Sequence, residues 1–473
     1  MDRQRKGKME RPNFLFIYID DMGWKDLTCT GSTFYETPNI DRLCREGMSF
    51  GNAYASCPVC SPSRASFLTG KYPARLGLTD WIDMNGNCHP RKGRLIDAPY
   101  IHHLPDGEYT IANALKDNGY AAWHVGKWHQ GGRKYYPERV GFDVNIGGCD
   151  WGAPYGGYFA PNGIETLKEG PEGEYLIDRL TEEAISLIKE HCRTGDGRPF
   201  FLNLWHYAVH TPIQAKQEDV VRFEEKAQRL GLNREKATKE EGFHHTKDRK
   251  EEKVLHRILQ SDPAYAAMIW NLDWNIGRLL DTLKECGQEE NTVVIFTSDN
   301  GGYTNNEGAP TCNLPAAEGK GWLYEGGLRV PLLVRYPRLI RAGGYCNTPV
   351  ITPDFYPTLL ELAGIEKKPG MAPDGRSMVP LLKGESIPER PLFWHYPHYG
   401  DQGGQPCAAV LLGKYKYLFF YDEEREELYD LQTDLAESRN LAQRLPETAE
   451  KMRFLLRGWQ QEIEARFPEV NPD

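Results

Sequence analysis

No stretch of this sequence is long and apolar enough to cross a bilayer. The first apolar run, Phe14 to Ile19 in MDRQRKGKMERPNFLFIYIDD, is too short for the hydrophobic region of a secretion signal, and no small-residue cleavage site follows it. These absences argue against a membrane protein and lead to the expectation of a cytoplasmic one, unless an export signal has been removed. Long basic runs are missing as well. Acidic residues outnumber basic ones, 67 to 57, giving a formal net charge of −10. Nucleic acid is therefore not the expected partner, although net charge says little about a local anion pocket. A second Cys-x-x-Cys is also missing: Cys57 and Cys60 stand alone in that spacing, which removes the four-thiol zinc clip. The 11 cysteines are an odd-numbered scatter from Cys29 to Cys407. That is not a disulfide framework and fits a reducing compartment. Internal repeats and low-complexity tracts are absent.

What is present is a chain of 473 residues, long enough for one large unit with a smaller partner. Four apolar runs end in polar or charged residues: NFLFIYIDDMG (13–23), AAWHVGKWH (121–129), FFLNLWHYAVHTP (200–212) and TVVIFTSDNGG (292–302). Each reads as a buried strand followed by a loop. Helical patterns lie between them, in TIANALKDNG, LIDRLTEEAISLIKEHC and AYAAMIWNLDWNIGRLLDTLKECG. Strands alternating with helices predict an α/β fold around a mostly parallel sheet, with ligands gathered beyond the carboxyl ends of the strands. Those ends carry Asp20, Asp21, Lys127, His129, His210, Asp299 and Asn300. The charged segment from about Gln217 to Lys253 reads as an exposed helical insertion. The Gly/Pro-rich KKPGMAPDGRSMVPLLKG closes the larger unit. The runs LFWHY, AAVLL, YKYLFFY and EELYDL then predict an antiparallel meander, and a last helix spans about Pro446 to Arg466. The expected division is 1–383 for the main unit and 384–473 for a small antiparallel sheet plus helix.

The stretch SCPVCSPSRASFLTGKYPARL (56–76) carries the densest chemistry. Ser61 can cap a helix, Pro62 fits its first turn and Gly70 can end it. Cys60 then stands just before a helix N-terminus, where backbone N–H groups and the dipole attract anions. Arg64, one turn on, is a planar cation suited to oxyanions. Asp20–Asp21 and Asp299–Asn300 offer hard oxygen donors to a divalent cation, the alternatives being a helix cap and an Asx turn. Lys127 and His129 alternate in GKWH, so on an extended segment both face one site.

These residues resemble the type I sulfatase family. CSPSRASFLTGK is similar to its signature, Cys-x-Pro-Ser-Arg followed by Leu-Thr-Gly, and the resemblance continues through Asp20–Asp21, GKWH, HTP, SDNGG and GKGWLYEGGLRVP in the family's order. It implies an alkaline-phosphatase-like fold with a smaller C-terminal antiparallel subdomain. It also implies that Cys60, not Cys57, is oxidised to formylglycine (3-oxoalanine) by a formylglycine-generating maturase. The hydrated aldehyde has two hydroxyls, one to attack sulfur and one to collapse and release sulfate, a covalent route with built-in release. By the same resemblance Asp20, Asp21, Asp299, Asn300 and the modified Cys60 hold calcium, with magnesium as the alternative, as a Lewis acid. Lys127 and Lys320 bind sulfate, His129 takes the diol proton, His210 protonates the leaving alcohol and Arg64 orients the diol.

TGKYPARLGLTDW, YYPERVGFDVNIGG, GGYFAPN and LFWHYPHY resemble bacterial glycan sulfatases acting on galactose or N-acetylgalactosamine, particularly at position 4. The expectation is an exo-acting carbohydrate sulfatase whose sugar contacts are Asp80, Trp81, His395 and His398. The bland alternative places Trp81 in the core and lets HYPHY pack the two units together. Rival activities are aryl or steroid sulfate hydrolysis, phosphate or phosphonate ester hydrolysis within the same superfamily, and an idle glycan-binding protein.

Overall fold

The computed structural model describes residues 11–306, 308–367, 371 and 373–472. The N-terminal decapeptide and part of the Gly/Pro-rich stretch expected to close the larger unit lie outside them. The central sheet has eight strands: β1 (Asn13–Ile19), β2 (Met48–Phe50), β3 (Ala121–Gly126), β4 (Val144–Ile146), β5 (Phe200–Trp205), β6 (Thr292–Ser298), β7 (Leu332–Arg335) and β8 (Gly344–Cys346). Their order is β8-β2-β7-β6-β1-β5-β3-β4. The strands from β6 to β4 run parallel, and β7 is antiparallel to both neighbours. The four apolar runs legible in the sequence are thus the four adjacent central strands β6, β1, β5 and β3. Every residue of these four is buried, which is why they read as continuous apolar runs rather than alternating ones.

The helix Cys60–Thr69 and the helix Phe355–Leu362 cover the face that presents Phe16, whose ring centroid lies 4.1 Å from Phe67 and 5.1 Å from Phe355. Two longer helices, Leu176–Thr194 and Pro263–Glu285, pack against each other. Because the central strands are parallel, all four of their carboxyl ends fall on one edge. The turns that follow carry Asp20–Asp21, Lys127–His129, His210 and Asp299–Asn300 together.

The expected meander forms as β9 (Leu392–Tyr396), β10 (Cys407–Leu412), β11 (Tyr415–Phe420) and β12 (Arg425–Asp430), antiparallel in sequence order. The last helix, Pro446–Glu462, lays Ala449, Met452, Leu456 and Trp459 on it, with Trp459 stacked on Phe393 at 4.8 Å. This second core also takes in Tyr54, Val59, Tyr72, Leu323 and Leu328 from the first part of the chain.

Residues 217–253 depart from the helical expectation. Gln217–Leu230 is α-helical and Leu232–Arg234 a single 3-10 turn, but Thr238–Phe243 and Lys253–Arg257 pair as an antiparallel hairpin. Its charges are solvated and paired across the strands, as in Lys253 to Glu240 at 2.6 Å. A bridge from His256 to Asn305 fastens it beside the loop after β6.

Candidate active site

Cys60 is the first residue of its helix and is 3% exposed. Val59, in extended backbone, occupies the cap position; Ser61, the expected cap, has a different task. Its hydroxyl accepts from the Ile82 N–H at 3.1 Å and lies 3.1 Å from His129 Nδ1. The helix ends where it was expected to, at Gly70 in the left-handed region (φ 70°). Beyond β3 the chain is not extended either: the strand stops at Gly126 and His129 has φ 55°. Lys127 and His129 still converge, but through a turn rather than by alternation.

Three cations meet three carboxylates under Cys60. Arg64, fully buried, sets Nε and Nη2 against Asp299 Oδ2 at 2.9 and 2.7 Å, with its guanidinium over the Trp205 ring at 5.0 Å. Lys127 Nζ donates to Asp20 Oδ2 at 2.6 Å, and Lys320 Nζ to Asp21 Oδ2 at 2.8 Å. Burial pushes the Asp20 carboxyl up, opposed by the Lys127 ammonium. For Asp21 burial pushes the same way, but the Lys320 ammonium and the Asn300 amide outweigh it and hold the carboxyl well below its usual range. Two buried cations beside a cavity are costly unless paired, and the pairing holds both lysine side chains in place.

The two histidines have assignable tautomers. His129 Nε2 lies 2.9 Å from the Ile82 carbonyl, which can only accept, so the proton sits on Nε2. Nδ1 carries no proton and lies 3.1 Å from Ser61 Oγ and 3.4 Å from Cys60 Sγ. Burial, with Lys127 nearby, lowers the His129 pKa well below the ordinary imidazole value. His210 Nδ1 faces the Thr211 carbonyl at 2.9 Å, and its Nε2 takes a hydrogen bond from Lys320 Nζ at 3.0 Å. Burial and then Lys320 bring it down to about 3. Both rings are neutral bases in the resting protein.

The donor set fits a hard divalent cation. Asp20 Oδ1 and Asn300 Oδ1 are buried without a hydrogen-bond partner, unmet acceptors next to one another's strand ends. Asn300 Nδ2 ties to Asp21 Oδ1 at 2.8 Å and the Asp21 N–H to Asp299 Oδ1 at 3.2 Å, which links three of the four residues. Arg64 Nη2, 2.7 Å from Asp299 Oδ2 and 3.8 Å from Asp20 Oδ1, brings in Asp20. Ligand atoms of Asp20, Asp21 and His210 lie within 4.8 Å of one another.

Above Cys60 opens a cavity of about 310 Å³, with Cys60, Asp21, His129, His210 and Lys320 at its floor and Trp81, Tyr155, Tyr303, Asp401 and Gln402 on its walls. Of the four expected sugar contacts, Trp81 alone lines it. Asp80 is buried behind, accepting from Arg91 Nη1 at 3.0 Å and Tyr396 Oη at 2.9 Å. His395 bonds the Arg466 carbonyl through Nε2 at 2.7 Å, and His398 Nε2 lies 2.8 Å from Thr79 Oγ1. His398 is thereby consumed in packing the C-terminal segment against the main unit, the bland alternative for HYPHY, whereas His395 is held inside the C-terminal unit by Arg466, Tyr421 and Gln460. The C-terminal segment does reach the cavity, but through the loop after them, at Asp401 and Gln402. Tyr155, Tyr303, Asp401 and Gln402 carried no sequence signal beyond lying in Gly-rich turns, in APYGGY, NGGY and YGDQGG.

The sulfatase family profile matches residues 12–365, and the N-sulphoglucosamine sulphohydrolase C-terminal profile matches residues 318–462. A protein named Sulfatase from Formosa agariphila is 30% identical, covering 96% of this chain and 90% of its own. The N-acetylgalactosamine-6-sulfatase of Canis lupus familiaris is 31% identical over 88% of this chain and 73% of its own. Among solved structures, Ps i-CgsB in complex with k-i-k-neocarrahexaose superposes with a TM-score of 0.75 at 28% identity, covering 95% of this chain and 92% of that one. With that fold, and with the motif residues gathered at one edge of the sheet, the chain belongs to the sulfatase family and is a sulfuric ester hydrolase on the alkaline-phosphatase-like fold.

Proposed function

We propose that the protein is an exo-acting carbohydrate sulfatase that removes sulfate from a terminal galactose or N-acetylgalactosamine ring. In this reading Cys60 is matured to formylglycine by a dedicated maturase, and Asp20, Asp21, Asp299, Asn300 and residue 60 hold calcium or magnesium. The observation that carries it is the cavity: its floor is cationic and basic, its walls are aromatic, and its 310 Å³ suits one ring rather than a long chain. The names of the dog relative and of the oligosaccharide in the neighbouring structure support a glycan substrate.

The aldehyde, as its hydrate, supplies an oxygen nucleophile, and the bound cation supplies Lewis acidity. The rest follows from the residues present. His129 Nδ1, unprotonated and 3.4 Å from residue 60, accepts the proton that residue 60 must lose. Lys320 keeps an ammonium hydrogen beyond those given to Asp21 and His210, and it meets the sulfate oxygens as charge builds on them. Lys127, fully buried on Asp20, does not line the cavity and adds its charge from behind the floor. The proton for the leaving alcohol comes from the Lys320–His210 pair, whose hydrogen bond places it between Nζ and Nε2. Arg64 does not line the cavity; it fixes Asp299 from below. Trp81, Tyr155 and Tyr303 exclude water and offer ring faces to a sugar.

Initial rates should be compared for galactose and N-acetylgalactosamine sulfated at position 4, the site expected from sequence, and at position 6, the site in the dog relative's name. Aryl sulfate and aryl phosphate complete the panel. Turnover of a sulfated sugar, abolished by a chelator and restored by calcium or magnesium, is the expected result. Fast aryl sulfate hydrolysis beside inert sugars would favour the aryl or steroid reading, for which the three aromatic walls are the supporting observation. Normal metal content and rate in Asp299→Ala would overturn the cation site.

A further inference from the structure

We infer that Asp401 is the residue that reads the sugar: its carboxylate accepts hydroxyls from the ring that carries the sulfate and turns away rings bearing a second anionic group on that side. This rests on the carbohydrate reading above and adds to it a contact and a charge rule.

Asp401 lines the same cavity as Cys60 and Lys320, and its side chain is 45% exposed, so it is an available acceptor. It is also held firmly. Arg91 Nε and Nη2 both fall on Oδ1, at 2.9 and 2.8 Å, which leaves Oδ2 outside that pair. Its backbone carbonyl takes hydrogen bonds from Arg249 Nη1 at 2.8 Å and Asn306 Nδ2 at 2.7 Å. Its loop is pressed against the residue next to Lys320. A Cβ on Gly321 would meet Gln402 Oε1 at 2.4 Å, and one on Gly404 would meet the Gly321 carbonyl at 2.1 Å. The hydroxyl acceptor and the sulfate-facing ammonium are therefore fixed relative to each other, as a site that measures a sulfate-to-hydroxyl distance requires.

The charge around Asp401 gives the second half of the rule. Arg91 is nearly buried and shared: besides Asp401, its Nη1 lies 3.0 Å from Asp80 Oδ2 and 3.8 Å from Asp97 Oδ2. Arg249 is itself paired with Glu252 at 2.8 Å, so Arg91 is left as one guanidinium among three carboxylates and this wall is negative, whereas at the floor Lys320 presents its ammonium to the cavity. The cavity is polarised. A sulfate is drawn down to the floor, and the wall suits neutral O–H donors, since a carboxylate offers only acceptors. A second sulfate or a uronate against Asp401 would place anion on anion.

The test uses the matured, metal-loaded protein and three substrates: the monosulfated sugar it prefers, that sugar with a second sulfate on the ring, and an aryl sulfate. Wild type should strongly prefer the monosulfated sugar. Asp401→Asn should lower kcat/KM for that sugar about tenfold to a hundredfold relative to kcat/KM for the aryl sulfate, the effect of weakening hydrogen bonds to a charged acceptor. It should also narrow the discrimination against the disulfated sugar. Equal loss on sugar and aryl sulfate, or no loss on either, would overturn the inference. So would wild-type turnover of the disulfated sugar at the monosulfated rate, an arm that needs no variant. Sugar turnover with an unchanged sugar-to-aryl ratio in Asp401→Asn defeats Asp401 alone; absence of any sugar turnover in wild type defeats the carbohydrate reading with it.

Discussion

His398 lies fully buried between the two cores, its Nε2 2.8 Å from Thr79 Oγ1 and its Nδ1 without a hydrogen-bond partner among the described residues. Burial lowers its pKa to about 3, and that of His395 to about 4. In the unfolded chain each imidazole takes up a proton near pH 6.5. The unfolded state thus binds more protons between about pH 6.5 and the folded values. Stability from these groups is complete above pH 6.5 and is lost as pH falls through that window. The melting temperature should drop between pH 7 and pH 5, and the drop should be shallower in His398→Gln, as followed by calorimetry. Identical slopes would show that another group governs acid lability. Cys57 is a contrasting residue. Its thiol lies 3.8 Å from the Thr79 carbonyl, and burial pushes its pKa well up, so it is an inert neighbour to Cys60.

At the scale of single elements, the Cys60 helix depends on how it stops. Gly70 has φ 70°, and a Cβ there would stand 2.8 Å from side-chain atoms of both Tyr356 and Pro373. Gly70→Ala should cost about 1–2 kcal/mol for the left-handed backbone, with the clash in addition, and lower the thermal midpoint measurably. An unchanged melt would mean that the helix end can rebuild. The same element shows what could be read from sequence. Its C-terminus was legible because left-handed backbone leaves a local mark, glycine. Its N-terminus was misread because Ser61 is recruited by His129 and Ile82, partners remote in sequence. Likewise β1, β3, β5 and β6 were legible because burial on both faces writes an unbroken apolar run, and their polar ends pointed to the site. The left-handed His129 and the charged hairpin at 238–257 leave no such mark, since tertiary hydrogen bonds and cross-strand ion pairs decide them. The cavity walls were the least legible part. Tyr155, Tyr303 and Asp401 come from three separate turns, whereas His395 and His398, on or near a strand, looked aimed at the site; instead His398 packs against Thr79 of the main unit and His395 inside the C-terminal unit.

For the whole molecule, the expected division at 383 does not coincide with a division of cores. Lys416, on β11, is fully buried with its Nζ 3.0 Å from Glu325 Oε1 and 2.9 Å from Glu437 Oε1. Glu325 in turn receives Arg329 at 2.7 Å. Removing Lys416 leaves buried carboxylates short of a cation, so Lys416→Met should cost about 3–5 kcal/mol in denaturant unfolding. For the same reason residues 11–383 alone should not fold: truncation would expose Tyr54, Val59, Tyr72, Leu323 and Leu328 as well. A soluble, cooperatively melting fragment would refute this. The burial of the Cys60 helix has a further consequence in time rather than in space. All ten of its residues are buried, so on the proposed maturation a second enzyme can grip the signature only while the chain is still open. Folding and oxidation then compete for each newly made molecule, and the first to finish is final. A molecule that folds with its thiol intact is a stable, correctly shaped and permanently idle protein, so the active fraction of a preparation records the outcome of a race during synthesis rather than any property of the finished fold.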